Sequence, residues 1–459
     1  MQIAPHLVSV IFLLGSVTFV DLAVATNGYF PHGIGVKNKA MAGAGTALPE
    51  DAISIVNNPA SAALVGEKMD AGVSVFMPRR NYTALFGGNN GRNHSFSFEN
   101  VNIDSGEDLF ITPEIAGTHH LPDGYSLAWA FYMRKGLATS YKGGSATFDP
   151  DFNGPEGIST FPGTYGDGAS KFEMSQALID IALAGTLGEV TAFGISAVLA
   201  AQSLEIKGIG GFAKYTEAFA ASNGVVFPDK LSGNGRDVNY GVGLKAGLHR
   251  KFGKHFSFAA SYWSEVNMGS YGDYADLFAG GGDFDIPARA SLGATWHPSE
   301  RFSLSVDMQY IWYSGIDALG NSFANIYDCP TAGFEGANLE RCLGGGDGPG
   351  FGWNDMPVVS LGGHWMPSDE WTLRAGFSFG DQPVAYYENT FNIPVVSLTE
   401  AHYTFGASRR LANGDELGFS FMYTEEESLE YLNQLDSSQI LRLTTDQFDF
   451  QLSYSWGLN

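Results

Sequence analysis

Charge is scarce in this chain, and positive charge scarcest. Lys and Arg number 25 against 49 Asp and Glu, for a net charge of -24, and charged residues make up only 16% of the sequence. Soluble domains typically carry about 25%. So few basic residues exclude a nucleic-acid partner, because phosphate binding needs a basic face. The acidic residues are scattered through Gly-rich segments, as in solvated loops. Cysteine is nearly absent: Cys329 and Cys342 are the two present, and no Cys or His flanks them at ligand spacing, so no metal site is expected. No catalytic set and no cofactor is expected either. After the first residues, nothing approaches the ~18 uninterrupted apolar residues of a membrane helix.

What remains points outward from the cell. An apolar stretch, Leu7 to Val20, precedes the small-x-small triplet Ala23-Val24-Ala25, so residues 1–25 read as a signal peptide. The stretch is short for a membrane helix. Export permits a Cys329–Cys342 disulfide, favoured over two free thiols. Closing such a loop is worth roughly 3 kcal/mol in the chain-entropy model. The chain has 459 residues, including 59 glycines and 14% aromatics, and its mean hydropathy is near zero. That length suits two or three soluble domains or one large barrel. A transmembrane β-barrel dilutes charge without raising mean hydropathy, because its strands alternate apolar and small polar residues.

The alternation is explicit. Val238, Tyr240, Val242, Leu244, Ala246 and Leu248 alternate with Asn239, Gly241, Gly243, Lys245 and Gly247. The pattern returns in Phe302 to Trp312, in Leu417 to Tyr423 and in Phe448 to Trp456. A β-sandwich alternates too. Three features favour a barrel: strands on the order of ten residues, Trp129, Trp296, Trp312, Trp365, Trp371 and Trp456 near strand ends, and connections that alternate short and long. Short turns fall at 121–124, 187–189, 252–255, 297–300, 366–369 and 412–415. Long polar stretches fall at 85–108, 137–169, 208–236, 271–282, 316–355, 382–397 and 424–441. This is the rhythm of an outer-membrane barrel of about 14 strands, with short turns in the periplasm. With no apolar helix available, a closed barrel over residues 68–459 is the way left to span a membrane.

Residues 26–67 break the pattern. They are Gly/Ala-rich but carry Ala40, Met41, Ile53, Ile55 and Val56, too apolar for a solvated linker. A plug, or hatch, inside the lumen is expected.

The hatch is also where a resemblance lies. Gly43, Ala47, Asp51-Ala52 and Asn58-Pro59-Ala60, followed by Trp371-Thr372-Leu373-Arg374-Ala375-Gly376-Phe377 and Gln382-Pro383-Val384, resemble the FadL/TodX family of outer-membrane transporters. The resemblance implies an all-β, fourteen-stranded barrel with an N-terminal hatch. It further implies passive uptake of hydrophobic compounds, long-chain fatty acids or aromatic hydrocarbons, through a lumen pocket and a lateral exit. Gly43, Asp51, Asn58, Pro59 and Ala60 are the expected hatch motif. The expected partners are a hydrophobic solute, outer-membrane lipid and lipopolysaccharide, with the barrel a monomer. One departure is the C-terminal Trp456-Gly457-Leu458-Asn459, where the family ends in an aromatic residue.

Arg374 falls on the face opposite Trp371, Leu373, Ala375 and Phe377, hence in the lumen. There it would meet either a carboxylate headgroup or a hatch carboxylate. Gly376-Phe377-Ser378-Phe379-Gly380 matches the Gly-x-Ser-x-Gly elbow of hydrolases. That motif needs a strand-to-helix turn and here sits within a strand. A barrel lipase or esterase, and a structural or adhesive barrel, stand as alternatives. His119 and His120 point to opposite faces of a strand and cannot easily share a metal. The stretch 344–352, with Asp347, offers a calcium site or a mobile loop.

Overall fold

The alternating segments pair into one closed antiparallel barrel in the computed structural model, which describes residues 26–87, 94–135, 137–151 and 157–458. Residues 1–25, expected as a signal peptide, and the final residue Asn459 lie outside the described residues. Fourteen strands form the wall: β1 (Lys68–Leu85), β2 (Phe110–His120), β3 (Tyr125–Arg134), β4 (Ser170–Leu187), β5 (Thr191–Lys207), β6 (Arg236–Phe252) and β7 (Phe256–Trp263). These are followed by β8 (Arg289–Ser299), β9 (Phe302–Ile311), β10 (Met356–Trp365), β11 (Trp371–Gly380), β12 (Ala401–Arg410), β13 (Glu416–Asn433) and β14 (Asp436–Gly457). Each pairs with its neighbour in sequence, and β14 closes on β1 from Gly457↔Lys68 to Ile440↔Leu85. No helix among the described residues is long and apolar enough to cross a membrane.

The alternation sorts the two faces. Leu244 on β6 is 66% exposed on the outside while its neighbour Lys245 is 4% exposed within. The six short turns lie at one end, and in four of them Gly124, Gly188, Gly253 and Gly414 adopt positive φ, which a tight reversal needs. Trp296, Trp365, Trp371 and Trp456 sit at or near strand ends and Trp312 just past one. Trp129 departs from this expectation, lying midway along β3.

The segment 424–441, expected as a long loop, is instead the tip of a hairpin. β13 and β14 run on to a two-residue turn at Gln434-Leu435, with a bulge between Thr424 and Glu427. Past the hydrocarbon slab nothing requires apolar side chains outside, so the sequence alternation lapses while the backbone ladder continues. The other long connections fold over the mouth. Phe96–Phe98, Ser145–Phe148 and Ser159–Pro162 make a small three-stranded sheet there.

Residues 26–67 lie within the lumen and are largely buried. Two short helical turns, Ala52–Val56 and Pro59–Ala63, pack against the inner wall. The wall meets them with glycine. A Cβ added to Gly194 would fall 2.5 Å from Pro59 C, one on Gly247 1.9 Å from Asn58 Oδ1, and one on Gly376 2.3 Å from Met41 C. Gly362, Gly406 and Gly418 bear on Met41, Ala40 and Val36 in the same way. These six wall glycines therefore form a seat for the hatch.

Candidate functional site

Asn58 begins the second helical turn of the hatch. Its Oδ1 accepts from Ala60 N at 3.0 Å and its Nδ2 donates to Leu248 O on β6 at 3.1 Å. Pro59 takes the first helical position, where its missing N–H costs nothing. Asp51 begins the first turn, with Ser54 Oγ donating to its Oδ1 at 2.5 Å. Burial, then the nearby Asp70 carboxylate, pushes the Asp51 carboxyl up to about 6. Gly43 has φ +86°, and a Cβ there would meet His32 O at 2.2 Å.

Ion pairs hold this hatch to the wall. Lys37 Nζ lies 2.8 Å from Glu416 Oε1 and Lys39 Nζ 3.0 Å from Asp449 Oδ2. Arg374, weighed above as a headgroup ligand, is engaged by the hatch. Its Nη2 and Nε reach the two Glu50 carboxylate oxygens at 2.7 and 3.2 Å, and Nη1 reaches Ser408 Oγ. Burial opposes ionisation of Glu50, but Arg374 and His364 outweigh it and hold the carboxyl well below its usual range.

The remaining candidates of the sequence are placed as follows. Cys329 and Cys342 form a disulfide, both sulfurs buried in the connection between β9 and β10. Asp347 pairs with Arg341 at 2.8 Å, and no group of three His, Cys, Asp or Glu among the described residues is placed to hold a metal. His119 pairs with Glu67 while His120 meets Ser126. Ser378 does meet a histidine: its Oγ lies 3.1 Å from His402 Nδ1. It does so from within the strand, fully buried, and His402 also stacks on His32 at 5.5 Å.

A cluster not foreseen from the sequence lies above the hatch, on the side of the long connections. Phe30, at the start of the hatch, sits between two guanidinium groups: Arg134 Cζ is 4.4 Å and Arg289 Cζ 5.2 Å from its ring centroid. Trp263 faces the same group, with Arg289 Cζ at 4.0 Å and Lys245 Nζ at 3.6 Å from its ring. Tyr29, Tyr313 and Trp353 complete an aromatic cage. Three cations thus converge, and Asp180, paired with Lys245, is the carboxylate that acts on all of them. Arg134 donates through Nε to Gln176, but its two terminal nitrogens are buried without a hydrogen-bond partner among the described residues. Lys245 also donates to Val56 O of the hatch at 3.0 Å. Below the cage, a cavity of about 30 Å³ between hatch and wall, lined by His32, Thr46, Lys245, Arg289, Asp307 and Ser360, is polar.

The wall is incomplete beside this cluster. The β2–β3 ladder runs from His120↔Ser126 only to Glu114↔Tyr132. Beyond it, Phe110–Pro113 pairs with β1 alone, and Met133 and Arg134 pair with β4 alone. Pro113 has no N–H to offer a ladder. Pro31, Ile34, Thr112, Pro113 and Met133 line a small pocket at this break in the pairing.

A closed antiparallel barrel with an N-terminal segment in its lumen agrees with the comparisons. The family model described as outer membrane protein transport protein (OMPP1/FadL/TodX) matches residues 181–455. The chain belongs to the FadL/TodX family. It is a barrel of the outer membrane. Among relatives, it is 24% identical over 252 residues to a long-chain fatty acid transport protein of Salmonella typhi, covering 52% of this chain and 57% of that one. It is 26% identical over 220 residues to the protein of that description from Escherichia coli K12, covering 46% of each. The chain thus spans about half the length of the curated relatives it matches. Among solved structures, the toluene transporter TodX of Pseudomonas putida superposes with a TM-score of 0.64 at 16% identity, over 93% of this chain and 99% of that one. A FadL homologue of Pseudomonas aeruginosa gives 0.58 at 16%, over 96% and 100%. These two share the fold.

Proposed function

We propose that this family member mediates passive uptake of hydrophobic molecules across the outer membrane as a single barrel, and that the buried cations favour molecules with a carboxylate head. The observation that carries the reading is Arg134. A buried guanidinium with two unpartnered nitrogens is costly, and a carboxylate answers it with two parallel hydrogen bonds. Arg289 and Lys245 add positive charge around the same ring cage. An apolar chain entering the cage gains about 0.8 kcal/mol per buried methylene. Affinity must remain moderate for release.

Phe30 occupies the space between the two guanidinium groups, so an arriving solute displaces it. The break in the pairing beside Pro113 supplies a sideways exit, next to Arg134 and bordered by the hatch residues Pro31 and Ile34. A molecule that leaves there enters the membrane without crossing the polar hatch. Names of the relatives support the hydrophobic cargo: long-chain fatty acid for two, toluene for a third. Catalysis by Ser378 finds less support, since its hydroxyl is sealed from the cage.

The test is uptake by reconstituted vesicles or by cells, comparing a long-chain fatty acid with toluene. Arg134→Gln with Arg289→Gln should cut fatty-acid uptake about tenfold or more, the scale of a lost charged hydrogen bond, and spare toluene. Equal loss of both, or of neither, would remove the carboxylate preference. Unchanged uptake after Phe30→Trp would remove the cage from the path.

A further inference from the structure

The outward faces of β6, β7 and β8 carry a furrow. Ala246, Ala260, Ala290 and Ala294 lie between the taller Leu248, Phe258, Leu292 and Met308, so the surface dips where the small side chains sit. The part nearest the short turns encloses about 640 Å³. It shares Leu248, Ala260 and Leu292 with a middle stretch of about 490 Å³. The middle stretch shares Ile195, Ala246 and Tyr262 with a third of about 570 Å³. From Arg250 to Leu244 the strand rise gives roughly 20 Å, more than half the ~30 Å hydrocarbon core.

Charge marks one end of the furrow. Arg250 faces outward at the short-turn end of β6 and stacks on Phe252, its Cζ 5.3 Å from the ring. Phe252 in turn meets Phe258 edge-on at 5.3 Å. Lys251, the next residue of β6, starts from the opposite face, and Lys254 lies on the turn that follows. None of the three basic side chains makes an ion pair or a side-chain hydrogen bond with the described residues. Glu189, on the neighbouring turn, pairs with none of them. In a chain of net charge -24, three unneutralised cations at the end of β6 and on its turn, at the foot of an apolar furrow, are a local reversal of sign.

We propose that the furrow binds an anionic glycerophospholipid of the periplasmic leaflet, its phosphate at Arg250 and Lys254 and one acyl chain along β6–β8. The short turns place this end in the periplasm, and clustered basic residues at a membrane surface attract anionic headgroups. The guanidinium offers a phosphate paired donors while the ring beneath it holds its orientation. Lipopolysaccharide phosphates belong to the other leaflet, on the side of the long connections.

Native mass spectrometry of the full chain in mild detergent tests this, with phosphatidylglycerol and phosphatidylethanolamine of matched acyl chains in equal amounts. The wild type should retain phosphatidylglycerol several-fold over phosphatidylethanolamine. Arg250→Gln/Lys254→Gln, at the exposed end of β6 and on its turn, should bring that ratio to about one while the heat-modifiable folded form persists. Ala260→Leu/Ala294→Leu should lower retention of both lipids. A wild-type ratio near one, or a ratio unchanged in the charge variant, overturns the proposal. Lipopolysaccharide competing equally, and responding to the same substitutions, overturns the leaflet assignment.

Discussion

Arg374 and Glu50 meet face to face across the seam between wall and hatch, two guanidinium nitrogens on two carboxylate oxygens at 2.7 and 3.2 Å. Both groups are largely buried. Breaking such a pair by removing one partner costs roughly 3–5 kcal/mol, because the other charge is left buried alone. Arg374→Gln should therefore loosen the hatch and raise single-channel conductance, and adding Glu50→Gln should restore part of the closed state. A double variant as leaky as the single one would show that the pair does not hold the hatch.

The triplet Asn58-Pro59-Ala60 rests directly on Gly194 and Gly247. Pro59→Ala frees the backbone at that seat, and deletion of residues 34–50 removes much of the plug. In both, uptake of hydrophobic solutes should fall or lose selectivity, small-ion leakage should rise, and the strands should still assemble. Wild-type uptake and conductance in both variants would take the hatch off the path.

Docking of the hatch should also depend on pH through Asp51, which faces Asp70, Lys37 and Glu50. Its folded carboxyl titrates near 6, above an ordinary Asp near 3.9. A raised value means the docked state binds the proton more tightly. Its stabilising effect is full below about 3.9 and is lost as pH rises through 6. Leak conductance in the wild type should increase from pH 5 to pH 8, and Asp51→Asn should flatten that rise. Equal pH profiles in the two proteins would assign the dependence to other groups.

The Cys329–Cys342 bond braces a connection at the mouth, away from the wall. Cys329→Ser/Cys342→Ser should fold and insert with the usual heat-modifiable mobility, while limited proteolysis between residues 316 and 355 speeds up. Loss of the folded form would place the bond among the requirements of the barrel.

The wall was legible in the sequence because a strand at a lipid boundary must declare its two faces: Leu244 beside Lys245 needs no further context. Six short turns announced themselves through their Gly, Pro, Asn and Asp. The far ends of β13 and β14 did not, since Glu425, Glu426 and Glu430 stand where water bathes both faces and no period is imposed. The cluster around Arg134 was half legible. A charge at an inward position of an apolar strand, such as Asp180 or Lys245, announces a lumen residue. That Arg134 and Arg289 converge on Phe30 depends on barrel closure and on the course of the hatch, which no single strand encodes. Alternation placed Arg374 in the lumen and left a headgroup and a hatch carboxylate both open to it; the carboxylate it meets is Glu50 of the hatch.

The glycine seat has a consequence for exchange between relatives. Wall and hatch are cut to each other at backbone resolution: a methyl group at Gly247, Gly376 or Gly406 would intrude on Asn58, Met41 or Ala40. A change in either surface must be answered in the other, so the two halves are inherited as a matched set. A chimera that sets a foreign plug in this barrel would find no room to sit, even where its ion pairs were copied faithfully.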